Sequence, residues 1–152
     1  MKAILFATLG ALCVPAFASD NWPQFRGPNG SGVATAFKPP VRVVGDQAAW
    51  KTPLPPGKSS PVLWNGRIFL TGVEESRLVT LALDAKSGTI LWKRQAPQVR
   101  LESVHTANSV AASTPCVDEH GVYVYFGSYG LLCYDPDGRE LWQKAIPTPK
   151  SM

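Results

Sequence analysis

The chain has 152 residues, of which 45% are hydrophobic and 17% are charged, and its formal net charge is +4. This composition excludes a disordered chain, and the length suffices for one modest globular domain. The 15 Lys and Arg residues are scattered along the chain without a basic cluster, so a nucleic-acid-binding face is not expected.

The first eighteen residues have the pattern of an export signal. Lys2 supplies a positive start, residues 3–14 are an uncharged apolar run, and residues 16–18 read Ala-Phe-Ala. The run is too short to span a bilayer comfortably. We therefore predict that residues 1–18 are a signal peptide cleaved before Ser19, and that the mature chain has no transmembrane segment. The mature protein is expected to be periplasmic or secreted, and the pattern does not separate these two locations.

An irregular segment follows the predicted signal peptide. Residues 19–40 are rich in Gly and Pro, which predicts consecutive turns and no helix. We call this segment the N-terminal strap, and we expect Trp22 and Phe25 to pin it onto the domain. Residues 41–50 then form a predicted strand that ends in Trp50 and leads into a proline-rich crossover.

Two units of four predicted strands come next, at residues 59–94 and 113–145. Runs rich in Val, Ile, Leu, Phe and Thr between turn residues indicate strands. The predicted strands are 60–64, 67–71, 77–83 and 89–93 in the first unit, and 113–117, 122–126, 131–134 and 140–144 in the second. Four antiparallel strands per unit are typical of a propeller blade.

A motif recurs in the two units, at residues 82–92 and 133–142. In both copies a strand ends at an Asp, the chain turns at a Gly, and a new strand is closed by a Trp. Trp92 follows Trp50 by 42 residues and precedes Trp142 by 50 residues. A hairpin repeated at this period indicates a β-propeller, so we predict an all-β fold with about two to two and a half blades present.

The motif residues are predicted to be structural. The Trp is large enough to bridge to the adjacent blade, the Asp can hydrogen-bond its own turn, and the Gly adopts a turn conformation that a side chain would resist. These positions are Ala82, Asp84, Gly88 and Trp92 in the first copy, and Asp135, Gly138 and Trp142 in the second.

The two units differ in the lengths of their connections. The first unit is four residues longer than the second, and we expect the extra residues in a polar loop containing Glu74 and Glu75. The crossover into the second unit exceeds the previous crossover by twelve residues, which include the polar segment 98–109. Loops on a rigid scaffold often carry binding residues. We therefore hypothesise that His105 and Asn108 face the propeller mouth and contact a ligand, the alternative being a surface excursion without a binding role.

The pattern of residues 82–92, Ala-x-Asp-x-x-Ser-Gly-x-x-x-Trp, resembles the tryptophan-docking repeat of pyrroloquinoline quinone (PQQ)-type β-propellers. The second copy departs from this repeat, since Cys133 replaces the Ala and one turn residue is missing. Residues 22–27 and 122–128 also resemble exported bacterial propellers of this superfamily. The resemblance covers roughly residues 20–145 and implies a partial propeller of four-stranded antiparallel blades.

The superfamily includes enzymes and scaffolds. Quinoprotein dehydrogenases hold PQQ and calcium on the propeller axis and often have two adjacent cysteines beside the cofactor, whereas outer-membrane assembly lipoproteins are non-catalytic. This chain has no Cys-Cys pair and no convergent set of acids, so no catalytic or metal-binding residue is assigned and no cofactor is expected in this segment. A non-enzymatic binding or assembly scaffold of the cell envelope is favoured, with a protein or envelope component as partner. The alternative is a fragment of a PQQ- and calcium-dependent dehydrogenase, whose cofactor would bind only in a complete propeller.

Two cysteines remain after the predicted signal peptide is removed. Cys116 is expected on the first strand of its blade and Cys133 on the third, which places them about 9–10 Å apart. A disulfide needs Cα atoms about 4.4–6.8 Å apart, so two small buried thiols are predicted.

Two blades alone would leave open sheet faces, and propellers have typically about 4–8 blades. We therefore expect this chain to be the N-terminal fragment of a longer protein that contains the rest of the propeller, with the number of blades left open.

Overall fold

A computed structural model describes residues 21–34, 41–42 and 48–149. These residues form two four-stranded antiparallel sheets, in each of which successive strands are hydrogen-bonded neighbours. The described part of the chain contains one helical element, the short 3-10 turn Pro28–Gly30. The predicted fold class, an all-β partial propeller of four-stranded blades, is confirmed.

The strands have the predicted order, with shifted ends. The first sheet contains β1 (Val62–Trp64), β2 (Arg67–Glu74), β3 (Arg77–Asp84) and β4 (Ile90–Gln95). The second sheet contains β5 (Cys116–Val117), β6 (Val122–Phe126), β7 (Gly130–Tyr134) and β8 (Glu140–Ala145).

The hairpin between β2 and β3 differs from the expected polar loop. Both strands have eight residues, whereas β6 and β7 have five each, so the additional residues extend the sheet. Glu75 and Ser76 form a two-residue turn with φ values of 49° and 60°. Such a turn matches the twist of the flanking strands, which can therefore pair up to its edge. Glu74 ends β2 and pairs with Lys93 of β4, with 2.5 Å between Oε2 and Nζ.

The segment predicted as a strand at residues 41–50 is described only in part. Residues 41–42 and 48–50 form no strand, and residues 43–47 lie outside the described residues. The predicted signal peptide also lies outside them. The described part of the chain contains no helix long and apolar enough to cross a membrane.

The main hydrophobic core lies between the two sheets. One face of the first sheet contributes Phe69 and Trp92, and the facing side of the second contributes Val124, Leu132 and Tyr134. The sheets approach each other most closely at their first strands, β1 and β5. Blades of a propeller converge on a central channel in this way, which identifies the first-strand edge as the axial side.

The N-terminal strap covers this axial edge. Trp22 forms a two-hydrogen-bond bridge with Leu63 of β1, with N–O distances of 2.7 and 2.9 Å. Pro23 then accepts a hydrogen bond from the backbone N–H of Val117 in β5, at 2.9 Å. The strap therefore ties the inner strands of both sheets together. Phe25 does not act as the expected anchor, because it is 60% exposed.

Candidate functional site

The contact between the blades is centred on Trp92, the third residue of β4. Its indole Nε1 donates a 2.9 Å hydrogen bond to the carbonyl of Pro136. The ring lies against Gly138, where an added Cβ would come within 2.6 Å of it. Arg94, two residues after the Trp, donates from Nε to the carbonyl of Gly138 at 2.6 Å. The first blade is thus anchored on a turn of the second by a ring and two donors.

The same arrangement occurs one blade earlier. Trp50 donates from Nε1 to the carbonyl of Ala85 at 3.0 Å, and its ring lies 2.3 Å from the place a Cβ would take on Gly88. Thr52, again two residues after the Trp, donates from Oγ1 to the carbonyl of Gly88 at 2.7 Å. The docking geometry therefore repeats although residues 48–50 form no strand.

Each docking turn is held by its own aspartate. Asp84 accepts hydrogen bonds from the backbone N–H of Ser87 and Lys86, and the bond from Ser87 is the main cause that lowers the pKa of its carboxyl. Burial pushes the pKa of Asp135 upward, but hydrogen bonds from Arg139 outweigh this effect and the pKa lies below its ordinary value. Both carboxylates are engaged in turn formation, so neither is placed as a catalytic acid.

The third motif tryptophan has no such partner among the described residues. Trp142 is 43% exposed, whereas Trp92 is 7% exposed. Its ring packs beside Tyr123 of the same sheet, with the ring centroids 6.3 Å apart. All six residues of β8 are exposed to solvent, so the outer edge of the second sheet is uncovered.

The two ligand-loop candidates line one open groove. His105 and Asn108 share this groove with Arg100, Glu102 and residues 148–149. We call it the crossover groove, because most of its lining belongs to the connection between the blades. The structure thus brings the two candidates together with an arginine and a glutamate that the sequence analysis did not single out.

A short turn orients His105. Its Nδ1 accepts a hydrogen bond from the backbone N–H of Ala107 at 3.1 Å, and its carbonyl accepts one from the N–H of Asn108 at 2.7 Å. A neutral imidazole that accepts at Nδ1 carries its proton on Nε2. The Nε2–H is therefore the group that His105 can donate to a ligand.

The crossover is attached to the second blade and to the preceding crossover. The backbone N–H of Glu102 donates to Oγ of Ser128 at 3.0 Å, and its carboxylate occupies the space that a Cβ on Gly127 would need. Lys58, from the preceding crossover, donates from Nζ to the carbonyl of Ala107. The contact between Glu102 and the loop 127–128 spans 26 residues, which is why no local sequence pattern indicates it.

The cysteines occupy the predicted strands, but one of them is not buried. Cys116 and Cys133 both pair with Tyr123 across the sheet, so they lie two strands apart, and both are free thiols. Burial raises the pKa of Cys133. Cys116 is exposed, contrary to the expectation of two buried thiols, because it lies in the edge strand β5, whereas Cys133 lies in β7 between two strands.

A PQQ and calcium site would need several convergent oxygen ligands. Within residues 21–34, 41–42 and 48–149, no three His, Cys, Asp or Glu side chains are close enough to hold a metal ion. Asp118 is committed to its own turn, since the N–H groups of His120 and Gly121 donate to it. The axial edge of both inner strands is also occupied by the strap.

A family model matches most of the chain. The family PQQ_2, described as outer membrane protein assembly factor BamB, matches residues 44–152. A europium-containing methanol dehydrogenase matches with a TM-score of 0.46 and 25% identity, over 62% of this chain and 18% of that chain. The chain therefore spans less than a fifth of that dehydrogenase. No curated protein sequence matches. Because the family match extends over most of the chain, the protein belongs to the PQQ_2 family of PQQ-like β-propeller repeats.

Proposed function

We propose that this protein is an exported, non-enzymatic binding scaffold of the cell envelope, and that the crossover groove binds a protein partner. The observation that carries the proposal is the convergence of His105 and Asn108 on one groove, on a loop tied to the second blade through Glu102. A loop ordered in advance loses little conformational freedom on binding. The family description as an outer-membrane assembly factor supports a protein or envelope component as partner, and residues 1–18 support export to the periplasm or beyond.

The chemistry of the groove suits an extended polypeptide. Arg100 and His105 supply hydrogen-bond donors, Glu102 supplies acceptors, and the Asn108 amide supplies both. Leu101, which is half-buried, adds an apolar surface between them. A peptide backbone has alternating donors and acceptors, so a groove with both kinds of group can satisfy it.

The proposal is tested by a double substitution in the groove. A tagged chain carrying His105→Ala and Asn108→Ala is expressed in its native envelope, cross-linked and purified beside the unchanged chain. We expect the unchanged chain to retain specific envelope proteins that the double variant loses. His120→Ala is the matched control, because this second histidine lies exposed in the hairpin between β5 and β6, outside the groove.

The outcomes distinguish the proposal from its alternative. Retention of the same envelope proteins by the double variant, with unchanged thermal unfolding, would contradict the binding role of the groove. The alternative is a dehydrogenase fragment whose cofactor site lies outside the described residues. Dye reduction by the whole gene product after loading with PQQ and calcium would favour that alternative over a scaffold.

A further inference from the structure

We infer that the proline-rich crossover, residues 51–58, is a preformed polyproline II ligand, and that its exposed prolines dock into an aromatic groove with an acidic rim on a partner protein. The crossover leads from Trp50 into the first blade and reads Lys-Thr-Pro-Leu-Pro-Pro-Gly-Lys. This inference concerns a second surface of the protein, and it does not depend on what the crossover groove binds.

The sequence of the proline-rich crossover restricts its backbone to the polyproline II region. Pro53, Pro55 and Pro56 fix their own φ at about −65°. A residue that precedes a proline is also pushed away from the helical region, toward extended or polyproline II conformations. One of these two rules applies to every residue from 52 to 56, and residues 51–61 form neither helix nor strand. The segment therefore loses little conformational entropy when a partner binds it.

Burial along the proline-rich crossover follows the polyproline II repeat of three residues per turn. Thr52 and Pro55 are partly buried, whereas Pro53, Leu54 and Pro56 are exposed. Prolines three residues apart lie on the same side of such a helix, so the Pro-x-x-Pro pair is presented together to solvent. This spacing is the one that proline-recognising domains bind.

Strand β2 holds the proline-rich crossover in place. The carbonyl of Pro56 accepts a 2.8 Å hydrogen bond from the backbone N–H of Val73. Pro55 packs against Gly72, where an added Cβ would come within 3.0 Å of the proline Cβ. The inward side of the segment is thus attached to the sheet, and the outward prolines are presented on a fixed support.

The chemistry beside the exposed prolines indicates the kind of partner. An open groove runs along the crossover, and Leu54 and Ile90, which are both exposed, contribute apolar surface to its lining. Lys51 and Lys58 are exposed at the two ends of the crossover, which contains no acidic residue. Aromatic rings of a partner would bury the apolar surface, and carboxylates at the rim of its groove would complement the two positive charges.

An SH3 domain that binds Pro-x-x-Pro-x-Lys peptides is a suitable probe, because its groove is lined by aromatic side chains. The chain that begins at Ser19 is titrated with this domain in a calorimeter. We expect saturable binding that weakens as salt is added, and that is about tenfold or more weaker for a Pro53→Ala, Pro56→Ala double variant. Pro97→Ala is the matched control, because this exposed proline lies in the next crossover outside any Pro-x-x-Pro spacing.

A synthetic peptide of residues 51–59 makes the outcome decisive. Binding of the SH3 domain to the peptide but not to the folded chain would overturn the inference, because the fold would then hide the prolines. Equal binding by the double variant, with unchanged thermal unfolding, would also overturn it, as would the absence of binding to both chain and peptide. An alanine substitution of an aromatic residue in the SH3 groove should abolish binding, and this test leaves the present chain unaltered.

Discussion

Trp92 and Trp142 have the same position in successive sheets, and yet their surroundings differ. Trp92 packs between Phe69 and Tyr134, with centroid distances of 5.9 and 5.8 Å, and its indole N–H is satisfied by Pro136. Trp142 packs beside one tyrosine of its own sheet. A motif tryptophan therefore becomes part of a hydrophobic core only where a neighbouring blade packs against it.

The comparison extends to whole faces. The first sheet buries Thr71 and Thr80 on the face that carries Phe69 and Trp92, with exposures of 1% and 0%. At the equivalent positions of the second sheet stand Tyr125 and Leu131, which are partly exposed. A larger side chain at each of these positions gives the uncovered face more apolar surface to bury. The same blade design thus forms a core on the face that another sheet covers and leaves larger, partly exposed side chains on the other.

The largest expected difference in stability is between substitutions of the two tryptophans. Trp92→Ala removes a buried aromatic side chain and leaves a cavity, so we expect the free energy of unfolding to fall by about 3–5 kcal/mol. Trp142→Ala changes an exposed side chain and should alter it by less than about 0.5 kcal/mol. Urea denaturation of both variants measures the difference. Equal losses would contradict the assignment of one covered and one open face.

The next largest difference in stability is expected between substitutions of two glycines with similar backbone conformations. Gly138 and Gly66 have φ values of 84° and 74°, but a Cβ on Gly66 would meet no atom within 4 Å, whereas a Cβ on Gly138 would overlap Trp92. Gly66→Ala should cost about 1 kcal/mol from backbone strain, and Gly138→Ala about 3 kcal/mol from strain and overlap together. Thermal unfolding of both variants tests this order of stability losses. Equal losses would show that the Trp92 ring moves aside without an energetic cost.

Acid should weaken the docking turns. The pKa values of Asp84 and Asp135 lie below their ordinary values in the folded chain. Their contribution to stability is therefore complete above the unfolded pKa of about 3.9 and is lost as pH falls through the folded pKa. We expect the midpoint temperature to drop as pH falls below about 4, and Asp135→Asn to reduce that drop.

Glu119→Gln is the control for this pH dependence, because that carboxylate is 79% exposed in a hairpin. A pH profile that responds equally to the two substitutions would show that general charge, and not the turn carboxylate, determines acid sensitivity.

The smallest effect concerns the two thiols and leaves stability unchanged. In the chain that begins at Ser19, a thiol reagent should label Cys116 and spare Cys133, which is buried and has a raised pKa. Mass spectrometry after brief labelling measures this ratio. Rapid labelling of both residues would show that the second sheet opens easily.

Much of the fold could be predicted because its determinants are local. Asp84 and Gly88 shape their turn through contacts within four residues, so the sequence alone predicts the hairpin. The β2–β3 hairpin was misjudged because Glu75 and Ser76 adopt positive φ without being Gly or Asn. A polar insertion indicates a surface loop, but the contact of Glu102 with Ser128 has no local pattern.

The sequence by itself determined where the strands turn, in what order they pair, and which residues recur as Asp, Gly and Trp. These properties depend on backbone conformation and on hydrogen bonds within a single turn, which a few neighbouring residues control. The tertiary structure alone decided that Trp92 is buried and Trp142 is open, that Cys116 is exposed, and that His105 and Asn108 share a groove with Glu102. Burial depends on atoms from another blade, such as Pro136, which lies 44 residues from the tryptophan it binds.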